Sequence, residues 1–405
     1  MVTRVRYFIF LRDVLMLAFT AFGGPQAHLA YFQKVLVSKK RYLTENDLLE
    51  LNALCQVLPG PTSTQTITAV GYRLGGANLA YLTLIVWMMP AVIIMTAAGI
   101  LVSSFEAKQI SLEFTRFIQP MAVGFVSYAA YTISMKSVHT RAGIFIMVIS
   151  AVAAYFIRNP FIFPVILLMA GSITAFKYKA FAKEEKQKRV ISWNNFFLWI
   201  GVLVFAAVLG GFTKKTPELL PIRLFENFYR NGSLAFGGGQ ALTPMLYTEF
   251  VQFAKIAPGG AERRPYMNHE EFLTGYAVAQ SVPGPMFSFS SYIGVLSMRR
   301  FGIVGQLTGA VVAAAGIFLP GTFLIFFMIR VWESLKKYRP IKASLEGITA
   351  ANAGLVASAA IVLFQPLDNT LMNFGFTIGT FCLLAFTKCP SWLITVIGLI
   401  LGLVL

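Results

Sequence analysis

Charged residues are scarce in this sequence, and acidic residues are scarcer than basic ones. Of 405 residues, 17 are acidic and 34 are basic, so charged side chains make up 13% of the chain, while apolar side chains make up 57%. Soluble domains carry about 25% charged residues. The composition therefore excludes an ordinary soluble domain, and the mean hydropathy of +0.68 is typical of a protein that lies largely within a membrane.

Cysteine and histidine are equally rare, with three residues of each type. Cys55, Cys382 and Cys389 lie in or beside apolar runs and form no C-x-x-C spacing, so neither a disulfide framework nor a zinc site is expected. The phosphate-loop pattern G-x-x-x-x-G-K-[ST] and the hydrolase patterns H-E-x-x-H and G-x-S-x-G do not occur. We therefore predict no enzyme activity, no catalytic residue, no metal and no cofactor.

Long apolar runs, in contrast, recur along the whole chain. The runs from Leu79 to Ser103 and from Ile303 to Ile329 are each long enough to cross the ~30 Å hydrocarbon core of a bilayer as a helix. Arg12 and Asp13 interrupt the first run, so it is predicted to be a membrane helix and not a removable signal. The net charge of +17 resides in short loops, where it sets orientation and leaves no stripe for nucleic acid. The predicted fold class is an all-α polytopic membrane protein.

The two halves of the chain resemble each other. Phe22-Gly23-Gly24-Pro25-Gln26 recurs as Phe236-Gly237-Gly238-Gly239-Gln240, and Pro59-Gly60-Pro61 recurs as Pro283-Gly284-Pro285. Further along, an offset of 230 residues pairs Gly124 with Gly354. A register kept this long indicates a tandem duplication. We predict a first repeat over residues 1–176, a basic cytoplasmic linker with an unpaired membrane helix over residues 177–219, and a second repeat over residues 220–405.

The loop charges predict that the two repeats have opposite orientations. Basic loops face the cytoplasm, which places the linker from Lys177 to Arg189 inside. The neutral loop 103–116 then faces outside, whereas its counterpart 330–342 in the second repeat is basic and belongs inside. The unpaired run from Phe196 to Phe212 supplies the odd crossing, although the Arg299-Arg300 pair opposes this scheme. The predicted architecture is an inverted tandem repeat, as in many secondary transporters.

Each repeat contains two apolar segments that glycine and proline interrupt. Proline removes an amide donor and clashes with the preceding turn, so broken or re-entrant helices are expected there. Short polar side chains follow the breaks, and the amides and positive dipole end of a new helix favour an anion. The predicted oxyanion site comprises Gly23, Gly24, Pro25, Gln26, His28, Gln56, Pro59, Gly60, Pro61, Thr62, Ser63, Gly237, Gly238, Gly239, Gln240, Gln280, Pro283, Gly284, Pro285 and Ser288.

These breaks also have a purely structural interpretation. A break is only a packing kink when the serine and threonine hydroxyls after it bond back to their own helix. The symmetrical placement of four breaks favours the binding site. His28, in the first turn after a break, suits either proton coupling or a structural hydrogen bond.

Charged residues within the apolar runs are further candidates. Arg12 and Arg230 are predicted to offset the charge of a bound anion, with snorkelling or pairing to acidic neighbours as an equal alternative. Glu50 is the candidate for carrying a coupled proton. Asp47 and Glu271 fit capping boxes better, since each lies three residues after an N-cap type residue.

The motifs closely resemble those of the chromate ion transporter family. The matching segments are Phe22 to Leu29, Cys55 to Pro61, Gly71 to Gly76, Ala235 to Leu242 and Ala279 to Pro285. The resemblance covers nearly the full chain and fits the long, two-domain form. By this resemblance, the glycine, proline, histidine and glutamine positions of the predicted site take over the family's motif positions. The aromatic residues after the second Pro-Gly-Pro are a departure that bears on pocket size.

The resemblance implies a secondary transporter that exports chromate, a tetrahedral dianion, across the cytoplasmic membrane and so confers chromate resistance. Sulfate is expected as a look-alike ligand, and membrane lipid surrounds the protein. A proton-coupled importer of sulfate or another oxyanion, and an anion channel, are the alternatives. The sequence leaves open the physiological anion, the coupling and the oligomeric state, with a homodimer as one arrangement.

Overall fold

The computed structural model describes residues 7–108, 113–157, 159–176, 193–212, 219–236, 239–252, 266–335, 339–387 and 389–404. Over these ranges the chain is helical and contains no β-strand. The α-helices are α1 (Tyr7–Thr20), α2 (Gly24–Phe32), α3 (Glu45–Val57), α4 (Thr62–Ala107), α5 (Ile118–Ser137), α6 (Arg141–Phe156), α7 (Ile162–Ala175), α8 (Asn194–Phe212), α9 (Leu220–Leu234), α10 (Gly239–Tyr247), α11 (His269–Ser281), α12 (Phe289–Ser297), α13 (Gly302–Leu335), α14 (Arg339–Phe364), α15 (Leu371–Phe386) and α16 (Ser391–Val404).

Several of these helices suit a membrane. Among the described residues, four helical segments are long and apolar enough to cross one: Thr62–Phe105, Asn194–Phe212, Arg299–Trp332 and Ala343–Phe364. Further apolar helices, including α6, α7, α15 and α16, are shorter. Large apolar side chains such as those of Phe197, Phe205 and Phe212 on α8 are exposed, which suits contact with lipid tails. The predicted all-α polytopic membrane fold is confirmed.

The interruptions predicted at glycine and proline are present in the described residues. Helix α1 ends at Thr20 before α2 begins at Gly24, and α3 ends at Val57 before α4 begins at Thr62. In the second half, α11 ends at Ser281 and a short 3-10 turn precedes α12. Helix α4 also contains a kink at Gly75 and Gly76, whose backbone angles are not helical.

Later helices of the two halves occupy matching sequence positions. Helices α6 and α15 are each 16 residues long, and α15 begins and ends 230 residues after α6. Helices α7 and α16 are each 14 residues long. The repeat boundaries and the inverted orientation drawn from loop charges stay predictions, and the linker 177–192 lies outside the described residues.

The chain divides into two compact units, and each draws segments from both halves of the sequence. Unit 1 comprises Met1–Ile100, Arg189–Gly239 and Val282–Trp332, and unit 2 comprises Leu101–Lys188, Gln240–Ser281 and Glu333–Leu405. All four tripeptide and glycine motifs fall wholly or partly in unit 1, so this unit holds most of the predicted site.

Unit 2 is a bundle organised around α14. This helix packs against α5, α6 and α7, while α15 packs against α5 and α11 packs against α5 and α16. Glycines permit the closest crossings, since a Cβ added at Gly354 would overlap the Met147 carbonyl of α6, and one added at Gly124 would lie 2.7 Å from the Thr377 carbonyl oxygen of α15. Small residues let membrane helices approach backbone to backbone.

Candidate oxyanion site in unit 1

The first break in unit 1 reverses the chain between α1 and α2. Gly23 and Gly24 have φ values of 94° and 78°, in the left-handed region that residues with a Cβ rarely adopt. Helix α2 follows at once, with proline in its first turn. The side chains of Pro25 and Gln26 lie outside the described part of the chain.

The second break precedes α4 and is lined by polar side chains. Leu58 is extended, Gly60 has a φ of 116°, and α4 begins at Thr62. Every residue from Leu58 to Val70 is buried, including the run of threonines, serine and glutamine that opens α4. Buried polar groups at this density are costly unless they are hydrogen-bonded or bind a ligand.

Glycine amides connect the breaks of the two halves. The amide of Gly60 donates to the carbonyl of Ala235 at 2.8 Å, and the amide of Gly284 donates to the carbonyl of Ala21 at 2.9 Å. Ala21 and Ala235 each immediately precede a Phe-Gly-Gly motif. We call this pair the reciprocal glycine bonds. They hold each Pro-Gly-Pro tripeptide against the glycine break of the other half.

His28 lies at the centre of a buried hydrogen-bond network. Its Nε2 lies 3.1 Å from the Ala21 carbonyl oxygen, and its Nδ1 lies 3.0 Å from Ser63 Oγ. The side chain is 1% exposed. Trp87 contacts the imidazole edge-on at 5.4 Å between ring centroids and donates its indole N–H to Thr64. The network joins the first break to the start of α4.

Gln65 connects the second break to α13. Its Nε2 donates to the Pro59 carbonyl at 2.7 Å and approaches the Gly321 carbonyl at 3.4 Å. Its Oε1 is buried and has no hydrogen-bond partner within the described part of the chain. An unsatisfied buried acceptor costs about 1–3 kcal/mol, so a water or ligand donor is expected beside it.

Other buried hydroxyl and amide groups of unit 1 also have no hydrogen-bond partner among the residues that the structure describes. They are Thr68 Oγ1 on α4, Asn227 Nδ2 and Asn231 Oδ1 on α9, and the Oγ atoms of Ser290 and Ser291 in the first turn of α12. Together with Gln65, they lie on three helices that border the breaks. Each unsatisfied buried polar group of this kind is a place where a polar ligand or an ordered water is expected.

A known protein family matches most of the chain. The profile of the chromate transporter family matches residues 8–175 and 222–403. The chain belongs to the chromate transporter family.

Relatives named as chromate transporters match at modest identity over most of the chain. A probable chromate transport protein of Synechococcus elongatus is 27% identical over 96% of this chain and 93% of its own length. The chromate transport protein of Cupriavidus metallidurans is 27% identical over 86% of this chain and 80% of its own length. An uncharacterized transporter of Methanocaldococcus jannaschii is 25% identical over 96% of this chain and 92% of its own length. No solved structure matches the chain.

The residues of the predicted oxyanion site are distributed unevenly over the structure. Gly23, Gly24, His28, Pro59 to Thr62 and Ser63 lie together in unit 1. Pro283, Gly284, Pro285 and Ser288 belong to the same unit. Gly237 and Gly238 lie outside the described residues, as does the side chain of Gln240, and the backbone of Gly239 begins α10.

The two predicted glutamines before the Pro-Gly-Pro tripeptides lie in different surroundings. Gln56 is exposed on α3. Gln280 belongs to unit 2, where its amide donates to the Tyr276 hydroxyl at 2.8 Å and its carbonyl accepts from Ser391 at 2.6 Å. Binding of an anion by Gln56 and Gln280 stays a prediction.

The three charged candidates, Arg12, Arg230 and Glu50, differ in their surroundings. Arg230 donates to Glu226 at 2.8 Å, one turn away on α9, which is the pairing considered as the alternative to charge compensation. Arg12 is exposed and Glu50 is partly exposed. Charge compensation by Arg12 and Arg230 and proton transfer by Glu50 stay predictions.

Sequence reasoning missed a buried ion pair beside the first break. Asp13, 3% exposed on α1, accepts from Lys40 at 3.0 Å and from the Tyr42 hydroxyl at 2.6 Å. A charged residue within an apolar run was a visible signal, but its partners are 27 and 29 positions away and follow no fixed spacing. The pair fixes the segment after α2 against α1.

Both predicted capping boxes are present. Thr44 and Asp47 exchange backbone and side-chain hydrogen bonds at 3.1 and 3.2 Å, and Asn268 and Glu271 do the same at 2.8 and 2.7 Å. Burial opposes ionisation of Asp47, but hydrogen bonds from Thr44 and the guanidinium of Arg73, 2.6 Å away, hold the pKa of Asp47 below its usual value. Asp47 therefore anchors the start of α3.

Proposed function

We propose that this protein exports chromate, and with lower selectivity sulfate, across the cytoplasmic membrane as a secondary transporter. The observation that carries the proposal is the pair of reciprocal glycine bonds, which hold both Pro-Gly-Pro breaks open beside the buried hydroxyls that begin α4 and α12. Membership of the family and the names of its relatives support the same substrate. Resistance to chromate would follow from export.

The chemistry of the site suits a tetrahedral oxyanion. The amides of the first turn of a helix have no partner within the helix, and the positive end of the dipole favours negative charge. The amides of Gly60 and Gly284 are themselves engaged with carbonyls, so the donors to an anion are the first-turn amides and hydroxyls of α4 and α12. Ser63, Ser290 and Ser291 supply short side chains that leave room for the ligand.

The membrane potential favours export of a dianion. Each elementary charge that crosses 100 mV is worth about 2.3 kcal/mol, so expelling a dianion from an inside-negative cell gains roughly 4.6 kcal/mol per 100 mV. Import of sulfate would instead require at least two compensating positive charges. The proposal therefore needs no coupled ion, although coupling to protons is compatible with it.

Counterflow in reconstituted vesicles tests the transport mechanism. We expect vesicles preloaded with sulfate to take up labelled chromate faster than empty vesicles, because a carrier exchanges ligands through one site. A channel would give unitary currents without such acceleration. Imposed voltage and pH gradients distinguish export driven by the membrane potential from proton-coupled import. Absence of flux for both anions in correctly inserted protein would contradict the proposed function.

The orientation of the loops provides a separate prediction. Single cysteines in a background without Cys55, Cys382 and Cys389 should react with an impermeant thiol reagent from the cytoplasmic side at positions in 177–189 and 330–342. Cysteines in 103–116 and 366–370 should react only from outside, because the first loop carries no net charge and the second contains no basic residue that would hold it in the cytoplasm. Labelling of 103–116 and 330–342 from the same side would contradict the inverted repeat.

A further inference from the structure

The environment of His28 restricts which of its nitrogens carries a proton. A backbone carbonyl only accepts hydrogen bonds, so the Nε2 that lies 3.1 Å from the Ala21 oxygen must carry a hydrogen. In the neutral ring, Nδ1 is therefore an acceptor, and Ser63 donates its hydroxyl proton to it across 3.0 Å. Ser63 has a single hydroxyl proton, so it cannot donate to an anion at the same time.

Protonation of the ring would reverse this bond. Both nitrogens of an imidazolium are donors, so Nδ1 would donate to Ser63 Oγ. The hydroxyl proton of Ser63 would then be available to another acceptor, and the site would gain one positive charge. We propose that His28 is the proton-responsive element of the oxyanion site, and that it switches Ser63 from a donor to His28 into a donor to the bound anion. This inference rests on the proposed function.

His28 is the titratable side chain in this network. Within the part of the chain that the structure describes, the ring contacts Ser63 and Trp87 on α4, Phe32 on α2 and the Ala21 carbonyl, and all of these groups are uncharged. The Ala21 carbonyl also accepts from the Gly284 amide. The ring therefore contacts the start of α4 directly. It is connected to the second Pro-Gly-Pro through the Ala21 carbonyl, which accepts from both His28 and Gly284.

The second half offers an internal comparison. In the alignment of the repeats, Leu242 matches His28 and Phe287 matches Ser63, so the second copy has two apolar side chains where the first has a hydrogen-bonded pair. The bond between Gly60 and Ala235 nevertheless forms, as the bond between Gly284 and Ala21 does. The histidine and serine are therefore not required to form a glycine bond of this kind, which favours a role in ligand binding over a purely structural one.

Sulfate binding at a series of pH values tests the inference. Sulfate stays a dianion from mildly acidic to mildly alkaline pH, whereas chromate takes up a proton in that range, so only sulfate isolates the titration of the protein. For the full-length protein in nanodiscs, calorimetry should show sulfate affinity rising as pH falls, by up to about tenfold per pH unit for one linked proton. His28→Gln, which keeps an amide donor for Ala21, and His28→Leu should abolish this slope.

Two further variants sharpen the comparison. Ser63→Ala keeps the histidine but should lose most of the slope, because the switched donor is gone. His139→Gln removes an exposed histidine that bonds only to the Lys136 carbonyl among its described contacts, and it should bind sulfate with the slope of the unmodified protein. An unchanged slope in the His28 variants, with sulfate still bound, would overturn the inference but leave the proposed function intact. Absence of sulfate and chromate binding at every pH would instead overturn the proposed function.

A spectroscopic measurement decides the matter without any variant that risks misfolding. The chain contains three histidines, so comparison with His139→Gln and His269→Gln assigns the remaining imidazole signal of isotope-labelled protein to His28. If protonation strengthens anion binding, anion binding must favour protonation by the same factor. Saturating sulfate should therefore move the titration midpoint of His28 to higher pH. An unmoved midpoint would overturn the inference.

Discussion

Valine at Gly60 or at Gly284 should strongly reduce chromate flux in protein that still inserts into the membrane. Both glycines have φ values in the left-handed region, 116° and 97°, and valine adopts such angles poorly because its β-carbon is branched. Strain of this kind costs roughly 1–3 kcal/mol, which corresponds to about a five- to 150-fold loss of the competent conformation. Vesicle flux, normalised to inserted protein, measures the effect.

The two positions should differ in their tolerance of alanine. A Cβ at Gly60 would lie 2.9 Å from Gln65 Nε2, and so would displace the amide that donates to Pro59. A Cβ at Gly284 would have the Cβ of Ala91 as its nearest neighbour, at 3.3 Å. We therefore expect Gly60→Ala to lose more flux than Gly284→Ala.

Two other glycines serve as matched controls for this experiment. Gly76 has a φ of 72° but an added Cβ would meet nothing within 4 Å, so Gly76→Ala measures the backbone strain alone. Gly201 on α8 has open space and no positive φ, so Gly201→Ala should have no effect on flux. If Gly60→Val and Gly284→Val transport chromate as Gly201→Ala does, the breaks are kinks without a role in the site.

The sequence predicted the places where helices start and stop better than it predicted their partners. Thr44 and Asp47 lie three residues apart, so their capping box follows from local spacing and was found as expected. The breaks at the glycine and proline motifs are also local, because proline and glycine act on their own backbone. The membrane fold follows from composition alone.

The sequence contained no comparable signal for contacts between residues that are far apart along the chain. The Gly60 amide bonds to a residue 175 positions away, and Arg73 on α4 pairs with Asp47 on α3. The mixing of both halves within each unit is likewise a property of tertiary packing, whereas the self-comparison detected only the order of segments along the chain. Orphaned atoms such as Gln65 Oε1 can be recognised only once their neighbours are known.

Valine at Gly354 or Gly124 should prevent unit 2 from packing, with a larger effect at Gly354. The Cβ of Gly354→Val would overlap the carbonyl of Met147, and at Gly124 it would lie 2.7 Å from both the Thr377 carbonyl oxygen and the Thr380 Cβ. Overpacking costs about 1–3 kcal/mol and occasionally more, and the cost is greatest where backbone must move. The yield of monodisperse protein in detergent and its melting temperature measure the loss.

Gly375 and Gly379 on α15 provide the control for this second experiment, because a Cβ at either position would meet nothing within 4 Å. Gly375→Val and Gly379→Val change helix propensity by the same small amount, so any further loss at Gly354 or Gly124 reports on helix crossing.

The neighbours of Gly124 include a side chain, so Thr380→Gly should restore part of the stability lost in Gly124→Ala. The nearest neighbours of Gly354 are backbone atoms, and no truncation there should restore it. If the Gly354 and Gly124 variants have the same melting temperature as the α15 controls, the helices cross less closely in the membrane than in this structure. The two glycines that the repeat pairs are then not what stabilises unit 2.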